Sequence, residues 1–298
     1  MPSDAMKLAI EKFTSQDLPD NPTISDFRQS YDVMSTLFPP DPTVRMVRHD
    51  LGNVPAYRFT PPEMQEGRVL FFIHGGGYAL GSFSSHSMIV SYLAVGLQCP
   101  VFFPEYRLAP EHRFPAAVDD VLGAWQALIA LGYDPSEVAI AGDSAGGGLV
   151  FALMLRIREL GLKMPSAAYA MSPWSDMEGT EGWRLGDPER DPFLKIEELE
   201  FFAKTYVDEK DFRNPLVAPI YGDMSSLAPV LIQVSYNELL FEDARRLTVG
   251  IEQFGGEVIL EVEPDAPHVW QHFVSDVPES KLALDSAIGF ILQHWELT

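Results

Sequence analysis

Read for its hydrophobic and polar positions, the chain alternates short apolar runs with longer segments of helical spacing. Eight runs read as strands: residues 45–49, 56–60, 69–74, 101–106, 138–142, 167–171, 230–235 and 258–262. The first two flank Gly52-Asn53, which reads as the turn of a hairpin. Several of the others are continuously apolar, the pattern of strands covered on both faces of a parallel sheet. Between them, residues 115–132, 147–160, 239–254 and 280–295 carry apolar positions at helical spacing. The first three of these meet a glycine at or just past their ends, a common helix stop. Strands alternating with helices predict an α/β fold: a mostly parallel sheet flanked on both faces by helices in right-handed crossovers.

Two segments fall outside this pattern. Residues 1–43 are polar and helix-like and end in Phe38-Pro39-Pro40-Asp41-Pro42. Residues 176–213 follow the sixth strand and hold Trp183, Phe193, Phe201 and Phe202 among many charges. An insertion of this length between strands is more often functional than idle. Both segments read as a cap over one end of the sheet, leaving residues 44–175 and 214–298 as two parts of one main α/β unit. Extra packing helices are the plainer alternative.

Composition narrows the partners. The chain has 298 residues, 46% of them hydrophobic, which supports a large core and excludes a disordered chain. Its 21 basic and 43 acidic residues give a net charge of −22, which repels nucleic-acid phosphates and anionic membranes. Cys99 is the only cysteine, so no internal disulfide forms, as suits a reducing compartment. The start, Met1-Pro2-Ser3-Asp4-Ala5-Met6-Lys7, lacks a signal-peptide pattern, and no apolar run has the length of a membrane span. A cytoplasmic protein with neither nucleic-acid nor membrane partners is expected.

The candidate chemistry lies in three places. Gly142-Asp143-Ser144-Ala145-Gly146 fits the G-x-S-x-G nucleophile elbow, between a short apolar strand and a helix. Ser144 is the candidate nucleophile; the competing reading is an ordinary helix N-cap. His74-Gly75-Gly76-Gly77 follows the third strand, and the backbone amides of Gly76, Gly77 and Ala145 are the candidate oxyanion donors. That loop lacks either phosphate-binding glycine pattern. His74 reads as a brace for the loop, and Asp143 as pointing away from the site. A base comes from His268, in Pro267-His268-Val269-Trp270, or from His272 one helical turn on. The remaining histidines fall elsewhere: His49 in the early strand, His86 and His112 in loops, His294 near the C-terminus. The acid that orients the base belongs on the loop after the seventh strand, which offers Glu238 and Asp243; Asp265 shares a loop with His268. No His/Cys/Asp group shows metal-ligand spacing, so no metal is expected.

Taken together, His74 to Ser82, Tyr106-Arg107-Leu108-Ala109-Pro110-Glu111-His112, Gly142 to Gly147, Ser172-Pro173-Trp174 and Pro267 to Trp270 resemble the bacterial esterase branch of the hormone-sensitive-lipase-like family of α/β-hydrolases. The resemblance implies an eight-stranded α/β-hydrolase sheet, a helical cap made by the N-terminus and the insertion after strand six, and cofactor-free hydrolysis of carboxylic esters. It selects His268 as base. It also selects Glu238 as acid, where many relatives carry Asp, with Asp243 as runner-up and Asp265 third. Tyr106, Arg107 and Glu111 are expected to form a structural polar network. Small, neutral esters of short-to-medium acyl chain are the expected substrates, held by Tyr78, Leu80, Phe83, Trp174, Phe193 and Phe202. An amidase, peptidase or lactonase on the same triad is one alternative. A non-catalytic small-molecule receptor is another, though such relatives have lost the histidine. Relatives often pair through the last strand or its adjoining helix, and residues 258–262 are the candidate edge for a homodimer.

Overall fold

The computed structural model describes residues 1–15, 19, 22–179, 183 and 191–296. Three helices precede the sheet: α1 (Asp4–Thr14), α2 (Ile24–Asp32) and the short α3 (Met34–Leu37). The hairpin β1 (Arg45–Arg48) and β2 (Ala56–Thr60) follows, then β3 (Val69–Ile73), α4 (Phe83–Leu97), β4 (Val101–Pro104) and α5 (Ala116–Ala130). Next come β5 (Val138–Asp143), α6 (Ala145–Glu159), β6 (Ala167–Met171) and α7 (Ile196–Tyr206). The chain closes with β7 (Val230–Ser235), α8 (Phe241–Gln253), β8 (Val258–Glu263) and α9 (Pro278–Glu296). All eight expected strands are present, with ends shifted by two residues at most.

The strands form one sheet in the order β1-β2-β4-β3-β5-β6-β7-β8. β2 runs antiparallel to both β1 and β4, and every pairing from β4 through β8 is parallel. β3 shows why the run of apolar residues was needed. Its side chains alternate between two cores: Val69, Phe71 and Ile73 pack with residues of α5, α6 and α8, while Leu70 and Phe72 pack with α4 and α9. β8, at the sheet edge, leaves Ile259 and Val262 exposed.

Two helix assignments needed the structure. α4 is buried along most of its length, including Met88, Ile89, Val90, Leu93 and Ala94, so it lacks the polar stripe that marks an amphipathic helix. His86 therefore lies inside a buried helix rather than in a loop. α6 begins at Ala145, two residues earlier than the apolar pattern suggests, because the turn at Ser144 feeds directly into it. Its glycine-rich start has a packing cause. A Cβ on Gly146 would stand 2.1 Å from the Ile73 carbonyl oxygen. Only glycine lets the helix lie this close to β3, and that closeness outweighs its low helix propensity.

The segments expected to form the cap meet each other. Phe13 of α1 packs edge-on against Phe193, with ring centroids 4.9 Å apart, and Phe27 of α2 packs against Phe202 of α7 at 5.7 Å. Residues 16–18 and 20–21 of the first segment, and 180–182 and 184–190 of the second, lie outside the described residues. Among the described residues, no helix is long and apolar enough to cross a membrane.

Candidate active site

Ser144 occupies the turn between β5 and α6 with φ 52° and ψ −119°, a conformation costly for a residue with a side chain. Three main-chain hydrogen bonds hold it there. Its N–H donates to Met171 O at 2.8 Å, and its carbonyl accepts from Gly148 N at 3.0 Å and Trp174 N at 2.9 Å. The side chain opens into a cavity of about 380 Å³ that also reaches His268, Gly76 and Gly77.

His268 sits on the loop after β8 and is almost fully buried. Its Nδ1 lies 2.5 Å from Glu238 Oε2. Glu238 follows β7 and is wholly buried. Its other oxygen, Oε1, accepts from Ser235 N at 2.7 Å and from the Ser172 hydroxyl at 2.9 Å. Three donors on two oxygens favour the carboxylate, which has no proton of its own to give. Burial outweighs the His268 contact and leaves the Glu238 carboxyl above its ordinary value. Burial likewise lowers the imidazole, but the hydrogen bond and charge of Glu238 outweigh it, so His268 titrates above its ordinary value. Nε2 is left as the proton-accepting nitrogen.

Neither alternative acid touches His268. Asp243 already lies in the first turn of α8, where its Oδ2 accepts from Ser175 N at 2.7 Å and Asp176 N at 2.8 Å. Burial and the neighbouring Asp176 push it up to about 8. Asp265 instead pairs with the N-terminal amine of Met1 at 2.5 Å. The rival base, His272, faces Asp143 rather than Glu238, with Nε2 3.5 Å from Oδ2 and no well-aligned hydrogen bond.

The glycine loop lies across from the elbow. Gly76 and Gly77 have φ of 105° and 59°, which glycine adopts without strain, and the Gly76 carbonyl accepts from Leu80 N at 2.7 Å. Among the described residues, nothing accepts a hydrogen bond from the amides of Gly76, Gly77 or Ala145. Asp143 ties the loop to the elbow from behind: its Oδ1 accepts from Gly75 N at 3.0 Å. A Cβ on Gly75 would stand 2.3 Å from Asp143 Oδ2. His74 stacks on Tyr106 with centroids 4.2 Å apart, and burial drops it to about 3, so it stays neutral. The Tyr106 hydroxyl donates to His74 O at 2.8 Å. Arg107 and Glu111 do not join Tyr106 in one network. Arg107 pairs with Asp120, and Glu111 with Arg28 of α2. Arg28 also donates to Ala79 O at 2.8 Å and Ala109 O at 3.0 Å.

Of the expected pocket residues, Leu80, Trp174, Phe193 and Phe202 line the cavity. Tyr78 and Phe83 do not. Tyr78, at φ 61°, carries its ring away to stack on Tyr206 at 3.8 Å. Phe83 opens α4 and stacks on Tyr57 of β2 at 4.3 Å. The wall instead includes Phe27, Tyr31 and Met34 from the N-terminal helices and Leu199 from α7. Sequence reading also missed two polar supports. Ser172 stood in a quoted motif without a role, yet it holds Glu238. Asp191 is buried, accepts from Phe193 N and Leu194 N at 3.0 Å, and takes Leu239 N at 3.1 Å beside Glu238.

Comparisons with known proteins show the family. A family model described as the alpha/beta hydrolase fold matches residues 70–272. An acetyl-hydrolase of Streptomyces hygroscopicus is 38% identical over 77% of this chain and 77% of its own. An esterase of Acinetobacter venetianus is 33% identical over 88% of this chain and 87% of its own. The crystal structure of an esterase from the bacterial hormone-sensitive lipase family superposes with a TM-score of 0.95, 37% identity and 99% coverage of each chain. The chain belongs to the α/β-hydrolase fold family and, within it, to the hormone-sensitive-lipase-like esterases.

Proposed function

We propose that this protein hydrolyses carboxylic esters of short-to-medium acyl chain through Ser144, His268 and Glu238. The observation that carries this reading is the 2.5 Å contact of Glu238 with His268, on a histidine that shares one cavity with Ser144 and the glycine loop. The esterase and acetyl-hydrolase relatives support the same reaction class.

Ser144 Oγ attacks the ester carbonyl while His268 Nε2 takes its proton. Glu238 holds the ring by Nδ1 and stabilises the imidazolium that forms. The amides of Gly76, Gly77 and Ala145 receive the tetrahedral oxyanion. Collapse releases the alcohol, protonated by His268, and leaves an acyl group on Ser144. Water, activated by the same histidine, then frees the acid. Residues 1–43 and 176–213 serve as the cap, whose aromatic side chains bind the apolar parts of the ester. A cavity of about 380 Å³ suits a small ester. The exposed edge of β8 is the proposed pairing surface of a homodimer, and the lone buried Cys99 suits the cytoplasm.

The test is a series of p-nitrophenyl esters of increasing acyl length, run on the parent and on Ser144→Ala. Turnover that is greatest on the shorter chains and lost in the variant is expected. A folded parent no faster than Ser144→Ala on every ester would remove the esterase reading.

A further inference from the structure

Behind the nucleophile, three buried groups that the proposed chemistry does not use come together from separate elements. His86 projects from α4, Asp143 ends β5, and His272 lies in the turn after the His268 loop. Their ligand-type atoms all fall within 4.8 Å of one another. His86 Nε2 and His272 Nε2 lie 3.3 Å and 3.5 Å from the same oxygen, Asp143 Oδ2. In a tetrahedral zinc site with bonds of about 2.0–2.1 Å, neighbouring ligand atoms stand about 3.3–3.4 Å apart. Two edges of such a tetrahedron are therefore close to their required length. We propose that His86, Asp143 and His272 form a site for a zinc-class divalent ion, reached from the active-site cavity.

Three further observations favour it. His272 is buried, yet among the described residues neither of its ring nitrogens has a hydrogen-bond partner, so a lone pair stands unused at the cluster. His86 has an outer support: its Nδ1 is 2.7 Å from the Ser85 hydroxyl, whose own proton can go to Ser82 O at 3.0 Å. With hydrogen on Nδ1, Nε2 carries no proton and accepts from Gly75 N at 3.3 Å, the tautomer a metal requires. His272 also lines the cavity that holds Ser144, which gives an ion a way in and a water a fourth position. An ion here would compete with the Gly75 N–H for Asp143 and loosen the glycine loop. Zinc should therefore slow ester turnover, a consequence that rests on the proposed function, whereas binding itself does not.

Equilibrium dialysis of the whole protein against ZnCl2, with Co²⁺ absorption as a second readout, tests the site directly. One ion per chain is expected, with affinity at least tenfold weaker in His272→Asn and little changed in His268→Asn. Loss in His268→Asn with none in His272→Asn would place the ion on the hydrolytic histidine and overturn the proposal, as would the absence of saturable binding. Anomalous scattering at the zinc edge, from crystals of the parent protein grown with ZnCl2, needs no variant. A peak between His86, Asp143 and His272 supports the site, and a peak only elsewhere overturns it. A filled site with unchanged turnover would overturn the inhibition alone.

Discussion

The cavity has two unlike walls. The one that carries Ser144 and the glycine loop is made of main chain at very close approach. Gly146 lies where a Cβ would meet the Ile73 carbonyl oxygen at 2.1 Å, and Ser144 is fixed by three backbone hydrogen bonds. The facing wall is made of side chains: Phe27 against Phe202, Phe13 against Phe193, together with Met34 and Leu199. Bond-making tolerates errors of only about half an ångström, and a hydrogen-bonded backbone supplies that precision. Apolar binding needs volume and contact, which several side chains can supply interchangeably. Substitutions on the first wall should therefore act on turnover, and those on the second on affinity.

The largest effect tests the first wall at its centre. Ser144→Ala should lower kcat by roughly 10⁶-fold with KM little changed, measured on a p-nitrophenyl ester. Glu238→Gln should cost roughly 10³–10⁴-fold, because the amide no longer fixes the imidazole tautomer. Gly75→Ala should destabilise the fold by about 1–3 kcal/mol in urea unfolding, since its Cβ would stand 2.3 Å from Asp143 Oδ2. On the second wall, Phe202→Ala should raise KM by roughly tenfold or less and leave kcat nearly intact. A loss concentrated in kcat would dissolve the distinction between the walls.

The pH profile gives the smallest and most diagnostic change. His268 must be neutral to accept a proton, and Glu238 holds its folded pKa above the ordinary value of 6.5. More than half of the imidazole is then protonated at pH 6.5, so kcat/KM there should be under half of its plateau. Asp191→Asn removes a negative charge that helps raise His268, and the acid limb should move to lower pH. An unmoved limb would confine Asp191 to a structural role.

What could be read from the chain follows the same division. Strands of β3, β5 and β7 are apolar on both faces, so their runs announced themselves. Ser144, Gly76, Gly77 and His268 stand in short motifs whose chemistry is local to the backbone. Glu238 was separable from Asp243 by resemblance and by the helical spacing that starts at residue 239; the start of α8 draws Asp243 onto the Ser175 and Asp176 amides. α4 escaped notice because a helix buried on most sides has no amphipathic period. Tyr78 and Phe83 belong to the right stretch, but backbone direction decides which way an aromatic ring turns, and composition carries no such information. The convergence of His86, Asp143 and His272 from three distant segments left no trace in spacing at all.

One contact has a practical consequence for anyone who shortens, fuses or circularly permutes this chain. Arg28 grips the Ala79 and Ala109 carbonyls and the Glu111 carboxylate, so the leading helices act as a strut under the glycine loop as well as a wall of the cavity. Trimming past residue 28 would remove that brace together with Met6 and Ala9, which are buried in one core with residues of α4 and α9, so a loss of turnover in such a chain would not by itself point to the serine.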